Sequence, residues 1–266
     1  MNPAHEQNRR VWNERKRGQQ LYAVPATDED FKNPLAVVDH CGWLGGDVRG
    51  KRLLCLGAGG GRHGALFAAA GAIVTVVDLS PQMLELDRKI AAERGLKVEI
   101  IEASMDHLPM LGEARFEIVI QPVSTCYVPD VRAVYREVAR VLVPGGVYVS
   151  QHKQPASLQA DMVPSARGYL LNEPYYRNGP LPAVVKSSLH REAGAVEYLH
   201  RWEDLIGGLC RAGFALEDLA EPRHADLKAE PGTPAHRAGY VPPFVKLKAR
   251  RMGEPARRIS VIGGGK

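Results

Sequence analysis

Residues 53–64 read Leu53-Leu54-Cys55-Leu56-Gly57-Ala58-Gly59-Gly60-Gly61-Arg62-His63-Gly64. The apolar run Arg52–Leu56 ends in glycines and reads as a buried strand. The alanine-rich stretch Gly61–Ala70, closed by Gly71, reads as a helix with its stop signal. Between them Gly57, Gly59 and Gly61 are spaced G-x-G-x-G. Glycine lets the chain turn sharply and lets a ligand approach where a Cβ would block it. The free N–H groups of the following helix add a positive end. Taken alone, a tight strand–helix turn would have the same composition.

Outward from this turn, strand and helix signals alternate for about a hundred residues. Ala72–Asp78 is β-branched and nearly continuous, the pattern of a strand buried on both faces. Ser80 is an N-cap with Pro81 at the first helical position, and that helix stops at Gly95. Lys97–Ile101 and Phe116–Gln121 are further strands. Asp130–Leu142 carries apolar residues at 131, 134, 138, 141 and 142, an amphipathic helix. The turn Pro144-Gly145-Gly146 leads into a strand at Val147–Ser150. The expectation is an α/β fold: a Rossmann-like, doubly wound, mainly parallel seven-stranded sheet with helices on both faces.

Asp78 ends the second strand, 21 residues after Gly57. In nucleotide-binding βαβ units an acid about 20 residues on reaches the ribose hydroxyls. Two ligands suit that geometry, a dinucleotide and S-adenosylmethionine. The dinucleotide fingerprint G-x-G-x-x-G, counted from Gly57, would put its third glycine at Arg62. A literal match from Gly59 to Gly64 lies later, inside the start of the helix.

Four segments together resemble the class I S-adenosylmethionine-dependent methyltransferases: LLCLGAGGGRHG (53–64), VTVVDLSPQML (74–84), IEASMDHLP (101–109) and FEIVIQPVSTCYVPDVRAVYREVARVLVPGG (116–146). The resemblance covers about residues 50–150 well. It implies S-adenosylmethionine as cofactor, S-adenosylhomocysteine as product, and a cofactor site made of Gly57, Ala58, Gly59, Gly61, Arg62, Asp78, Leu79, Ser104, Met105 and Gln121. Asp78 would bind the ribose, Ser104 and Met105 would border the adenine with Asp106 close by, and Arg62 would meet the cofactor carboxylate. Many members carry an acid two residues before the first glycine; this chain has Cys55, so a carbonyl of the Gly57 loop or Gln121 is expected to hold the cofactor amino group. Ser104 stands where an acid is common.

Methyl transfer displaces a methyl group in line from a sulfonium, so the protein mostly aligns the acceptor and excludes water. In an open α/β sheet the acceptor lies beyond the carboxyl ends of the strands. Ser124 and Tyr127, after the fourth strand, and His152, after the fifth, are candidates there, Tyr127 and His152 as catalytic groups. The stretch Gln121-Pro122-Val123-Ser124 has one proline and no aromatic, unlike enzymes that methylate the amino groups of bases. Tyr22 and Trp12 could cover the cofactor or simply dock a helix.

The remaining chain sets the boundaries. Residues 1–48 are expected to form a helical arm, 49–153 the cofactor-binding core, 154–188 a proline-rich insertion or lid, 189–251 the completion of the sheet, and 252–266 a basic flexible tail. Strands are expected within Leu189–His200, at Phe214–Leu219 and at Val241–Lys248, with a helix over Trp202–Ala212 and disorder from Arg250. With 35 Lys+Arg against 30 Asp+Glu, the chain is only mildly basic. Arg9, Arg10, Arg15, Lys16 and Arg17 at one end, and Lys246, Lys248, Arg250, Arg251, Arg257 and Arg258 at the other, could hold phosphates. An RNA-directed methyltransferase and a nicotinamide-dependent oxidoreductase are the alternative readings to a small-molecule acceptor. The four cysteines lack C-x-x-C spacing, so no metal is expected. No stretch approaches the ~18 apolar residues that cross a bilayer, and Met1–Gln20 has no signal-peptide core. The expectation is a cytoplasmic protein without membrane contact.

Overall fold

A computed structural model describes residues 2–15 and 24–253. Seven strands form one sheet: β1 (Arg52–Leu56), β2 (Ile73–Asp78), β3 (Val98–Glu102), β4 (Phe116–Gln121), β5 (Leu142–Lys153), β6 (Phe214–Ala220) and β7 (Phe244–Arg251), in the order β3-β2-β1-β4-β5-β7-β6. Neighbours from β3 to β5 are parallel. β7 runs antiparallel to both β5 and β6. The doubly wound expectation holds, closed at one edge by an antiparallel pair.

The helices form where their caps and stripes direct. α1 (Pro3–Arg15) packs against the helix at Pro81–Glu93 and the turn at Thr125–Tyr127, and α2 (Pro34–Val38) is a short helix before the sheet. α3 (His63–Ala69) follows the glycine loop directly. In α4 (Pro81–Glu93) the Ser80 side chain accepts from Met83 N–H at 3.1 Å, and Pro81 occupies the first turn, where no donor is lost. In α5 (Val131–Val141) Asp130 accepts from Arg132 N–H at 3.0 Å. The stripe Val131, Val134, Tyr135, Val138 and Val141 is wholly buried. It packs with Tyr148 and Phe214 on one face of the sheet. The other face carries Leu53, Cys55, Val74 and Val76 against Phe67 of α3. Each such large apolar side chain contributes roughly 1.5–3 kcal/mol on burial. The short helices α6 (Pro155–Gln159), α7 (Gly208–Arg211) and α8 (Pro234–Ala238) complete the described chain.

Three expectations are corrected. Leu189–His200 contains no strand. Its backbone groups bond outside any ladder: Val196 N–H donates to Asn8 Oδ1 at 2.7 Å, and Tyr198 N–H to Cys126 O at 2.7 Å. The helix expected over Trp202–Ala212 is interrupted, a π-turn at Glu203–Gly207 preceding α7. Arg250 and Arg251 are not tail residues but belong to β7, paired with Val147 and Phe214. Tyr22, Lys16, Arg17, Arg257, Arg258 and the tail from residue 254 lie outside the described residues. No helix among the described residues is long and apolar enough to cross a membrane.

The parallel strands end together, so the loops after β1, β2, β3, β4 and β5 converge at one edge of the sheet, the place where open α/β folds bind ligands. α1 and the 189–200 segment lie over that edge.

Candidate functional site

A cavity of about 340 Å³ opens at this edge, within the roughly 300–1,000 Å³ usual for small-molecule sites. Its floor is the glycine loop. Gly57 has φ +58°, and a Cβ there would stand 2.8 Å from Ser124 Oγ; only glycine takes that conformation in that space. A Cβ on Gly59 would stand 3.0 Å from the Asp78 side chain. The bare loop therefore lies directly against Asp78. Asp78 Oδ2 accepts from Gly59 N–H at 2.9 Å and Oδ1 from Ser80 N–H at 2.9 Å. Each carboxylate oxygen keeps a second acceptor position, which leaves room for a diol. Burial pushes the Asp78 carboxyl up, and the backbone N–H groups of Ser80, Gly59 and Leu79 pull against it.

Of the residues expected at the cofactor, Gly57, Ala58, Gly59, Arg62, Asp78, Leu79, Ser104 and Met105 line this cavity. Gly61 does not; it packs beneath the loop against Leu86 and Ile90 of α4. Arg62 is held by Asp30 through bonds of 2.8 and 3.0 Å. Ser104 Oγ donates to Asp106 at 2.5 Å, and Asp106 in turn pairs with His5 Nε2 of α1 at 3.3 Å. Gln121 lies one layer behind the lining. Its amide donates to Ser124 Oγ at 3.0 Å and to Met105 Sδ at 3.1 Å, while its carbonyl accepts from Tyr148. It supports Ser124 and Met105 and is not placed to hold a cofactor amino group itself.

Among the acceptor candidates, Ser124 and Tyr127 line the cavity and His152 does not. Strand alternation explains this. Gln151 and Lys153 face the cavity, whereas Ser150 and His152 face α5, with the His152 ring edge-on to Tyr135 at 6.4 Å. Both His152 nitrogens are engaged, with Thr125 Oγ1 and Ser150 Oγ, each at 2.8 Å. Burial, with His200 nearby, pushes its pKa down to about 3. His152 is a neutral interior group, a correction to its reading as a base.

Trp12 of α1, a candidate from the sequence to cover the cofactor, lines the cavity. Other groups at the cavity were not singled out from the sequence, among them Asn8 of α1. Trp12 packs edge-on against Tyr127 at 5.5 Å. Beside Tyr127, Lys153 and Glu192 face in. Lys153 Nζ donates to Glu192 Oε2 at 2.6 Å and also to Glu197, and Arg191 donates to Glu197. The Tyr127 hydroxyl hydrogen-bonds to Glu192. Burial pushes the Tyr127 hydroxyl well up, and it remains a donor. Burial opposes the Glu192 charge, yet Lys153 holds this carboxyl below the usual range; burial beside Glu192 pushes Glu197 up. The apolar walls of the cavity include Val123, Leu189 and Phe244.

A bare loop, a carboxylate against it, and Ala103 and Met105 lining the cavity beyond β3 suit an adenosyl ligand. Comparison with known proteins agrees. Residues 54–150 match a family model described as a methyltransferase domain. An uncharacterized methyltransferase of Bacillus subtilis, YbaJ, is 34% identical over 179 residues, 66% of this chain and 70% of that protein. A ubiquinone biosynthesis O-methyltransferase of Bordetella avium is 35% identical over 103 residues, 39% of this chain; the chain spans 43% of that relative's length. The crystal structure of an S-adenosylmethionine-dependent methyltransferase from Mesorhizobium loti is similar with a TM-score of 0.62 and 27% identity, covering 77% of this chain and 93% of that one. The nicotinamide alternative falls with these findings. The chain belongs to the class I S-adenosylmethionine-dependent methyltransferases, with S-adenosylmethionine as its cofactor.

Proposed function

We propose that the protein methylates a small molecule by in-line transfer inside this cavity. The observation that carries the reading is the enclosure of the site. α1 supplies His5, Asn8 and Trp12 to one wall, and the segment after the proline-rich insertion supplies Leu189 and Glu192 to another. A pocket bounded on these sides suits a compact acceptor better than a polymer. The Bordetella relative, named for ubiquinone biosynthesis, points to the same acceptor class.

When bound, S-adenosylmethionine supplies an activated methyl group on a positive sulfur. Asp78 holds the ribose diol, and Ser104 and Met105 border the adenine. Arg62 is tied to Asp30 and shapes the loop end. The acceptor lies toward Tyr127, Lys153 and Glu192, its apolar part against Val123, Leu189 and Phe244. Alignment of acceptor and methyl group is the main contribution of the protein, worth roughly 7–11 kcal/mol when geometry is good. The roof formed by α1 and the 189–200 segment excludes water.

The polymer reading receives little support from the basic clusters. Arg9 pairs with Glu102, and Lys248 and Arg250 both pair with Glu217. Cations already neutralised by carboxylates release few counterions on meeting phosphate.

Incubation with methyl-labelled S-adenosylmethionine separates the readings, using a desalted metabolite extract in one arm and total RNA in the other. Label in the low-mass fraction is expected. Label confined to the RNA arm overturns the small-molecule reading.

A further inference from the structure

The glycine loop lacks its customary acid. Two residues before Gly57, where the resemblance noted from the sequence implies an acid, this chain has Cys55, wholly buried in the apolar layer beneath the loop. A thiol is a weak hydrogen-bond acceptor and burial keeps it protonated. The loop nevertheless has a carboxylate beneath it, and it comes from another element. Asp87 of α4 accepts from Gly60 N–H through Oδ2 at 2.8 Å.

Three features set Asp87 apart from an ordinary helix residue. It is buried, with 2% exposure. Its position belongs to the apolar stripe of α4, between Met83 and Leu84 on one turn and Ile90 and Ala91 on the next, all buried. An apolar side chain there would avoid the cost of desolvating a carboxyl. Its Oδ1 has no hydrogen-bond partner. Stability alone therefore does not account for an acid at this place. The helix is also pressed directly under the loop, since a Cβ on Gly61 would stand 3.0 Å from Leu86 O and from Ile90 Cγ1. Asp87 itself is not among the cavity-lining residues. It touches the loop, and the loop lines the cavity.

We propose that Asp87 is the loop-positioning acid of this enzyme, supplying from α4 the carboxylate that β1 does not provide, so that cofactor affinity depends on it although it contacts no substrate. Cys55 and Asp87 form an exchanged pair: one acid beneath the loop, relocated from strand to helix. By fixing the Gly60 amide, Asp87 sets the direction of the loop that meets the adenosyl group. The inference rests on the cofactor assignment and not on the identity of the acceptor.

Isothermal titration of the full chain with S-adenosylhomocysteine tests it, with folding followed by circular dichroism. Asp87→Ala is expected to weaken binding at least about ten-fold, the scale of a lost hydrogen bond to a charged group, while remaining folded. Asp87→Asn keeps an acceptor oxygen and loses the charge, and should fall between the wild type and Asp87→Ala. The double variant Cys55→Asp/Asp87→Ala returns an acid to β1 and is expected to recover most of the lost affinity. A merely structural role would not produce that recovery. Asp87→Ala binding within two-fold of the wild type overturns the proposal, as does a folded double variant that recovers nothing. Failure of the wild type to bind S-adenosylhomocysteine would instead overturn the cofactor assignment itself, and is distinguishable for that reason.

Discussion

Lys153 and Glu192 meet at 2.6 Å at the wall of the cavity, 39 residues apart in sequence and each 5% exposed or less. The pair joins the last residue of β5 to the segment that roofs the site. Lys153 also serves Glu197, so it compensates two buried carboxylates. Removing one partner of such a cluster leaves a charge without compensation, at a cost of roughly 3–5 kcal/mol. Lys153→Met is therefore expected to lower the thermal midpoint by roughly 6–20 °C, at about 2–4 °C per kcal/mol for a chain near this size. Adding Glu192→Gln and Glu197→Gln should restore part of the loss. A midpoint unchanged by Lys153→Met, measured by calorimetry, would mean the cluster is solvated.

Asp78 braces the loop and faces the cavity in which the ligand is proposed to bind. Its two oxygens already hold Gly59 and Ser80 N–H groups, and a ribose diol would add two donors to the same charge. Asp78→Asn replaces one oxygen by a donor that faces another donor. Hydrogen bonds to charged groups are worth about 1.5–3 kcal/mol, so S-adenosylhomocysteine should bind 10–100-fold more weakly, by the usual conversion of about 1.4 kcal/mol per decade. Titration calorimetry on this variant gives the answer directly; an unchanged dissociation constant would remove Asp78 from the site.

Asp87 carries a pH signature. Burial, with Asp78 adding to it, pushes its carboxyl up to about 7, against the pull of the Gly60 and Gly61 amides. The ordinary value is 3.8. Between these values the folded chain holds a proton that the unfolded chain has released. The folded state then binds more protons, so stability contributed by this group falls as pH rises from about 4 to about 7 and is level above. The full effect is on the order of 4 kcal/mol at 1.36 kcal/mol per unit. Asp87→Asn does not titrate and should gain on the wild type across that window. The difference between the two proteins isolates Asp87, because His63, pushed down to about 4 mainly by burial, acts in the opposite direction in both. Urea unfolding of both at pH 4.5 and 7.5 measures it; a pH-independent difference would count against the raised carboxyl.

The first half of the sheet was legible because its signals are local. The loop at 57–61, the cap Ser80 with Pro81, and the stripe of α5 each lie within one or two turns of chain, and each forms where the residues indicate. Asp78 was legible for the same reason, through its spacing from Gly57. The roof was not. Asn8 reaches Val196 across 188 positions, and no local pattern encodes that meeting. Leu189–His200 is apolar enough to read as a strand, yet its backbone groups are satisfied by α1 and by the turn at Thr125–Tyr127 instead. His152 was misread because chain position alone does not tell which face of β5 a side chain takes at the end of the strand. Asp87 carries a local signal of its own, an acid at a core position of an otherwise apolar stripe.

That distant contact is itself testable. The Asn8 side chain is 1% exposed and makes three bonds to backbone. It donates to Tyr127 O at 3.1 Å and Val196 O at 3.0 Å, and accepts from Val196 N–H at 2.7 Å. In effect one amide side chain replaces the strand partner that the 189–200 segment lacks, and pins α1 to it. Asn8→Ala leaves a buried donor and two carbonyls unpaired, a penalty of at least about 1–3 kcal/mol. His5 and Trp12, on the same helix, line the cavity, so loosening α1 should also weaken S-adenosylhomocysteine binding. The expected result in hydrogen exchange is faster exchange at residues 3–15 in Asn8→Ala, and slower exchange there in the wild type when S-adenosylhomocysteine is added. Ligand protection confined to the glycine loop and α4, with residues 3–15 unaffected, would show that α1 plays no part in closing the site.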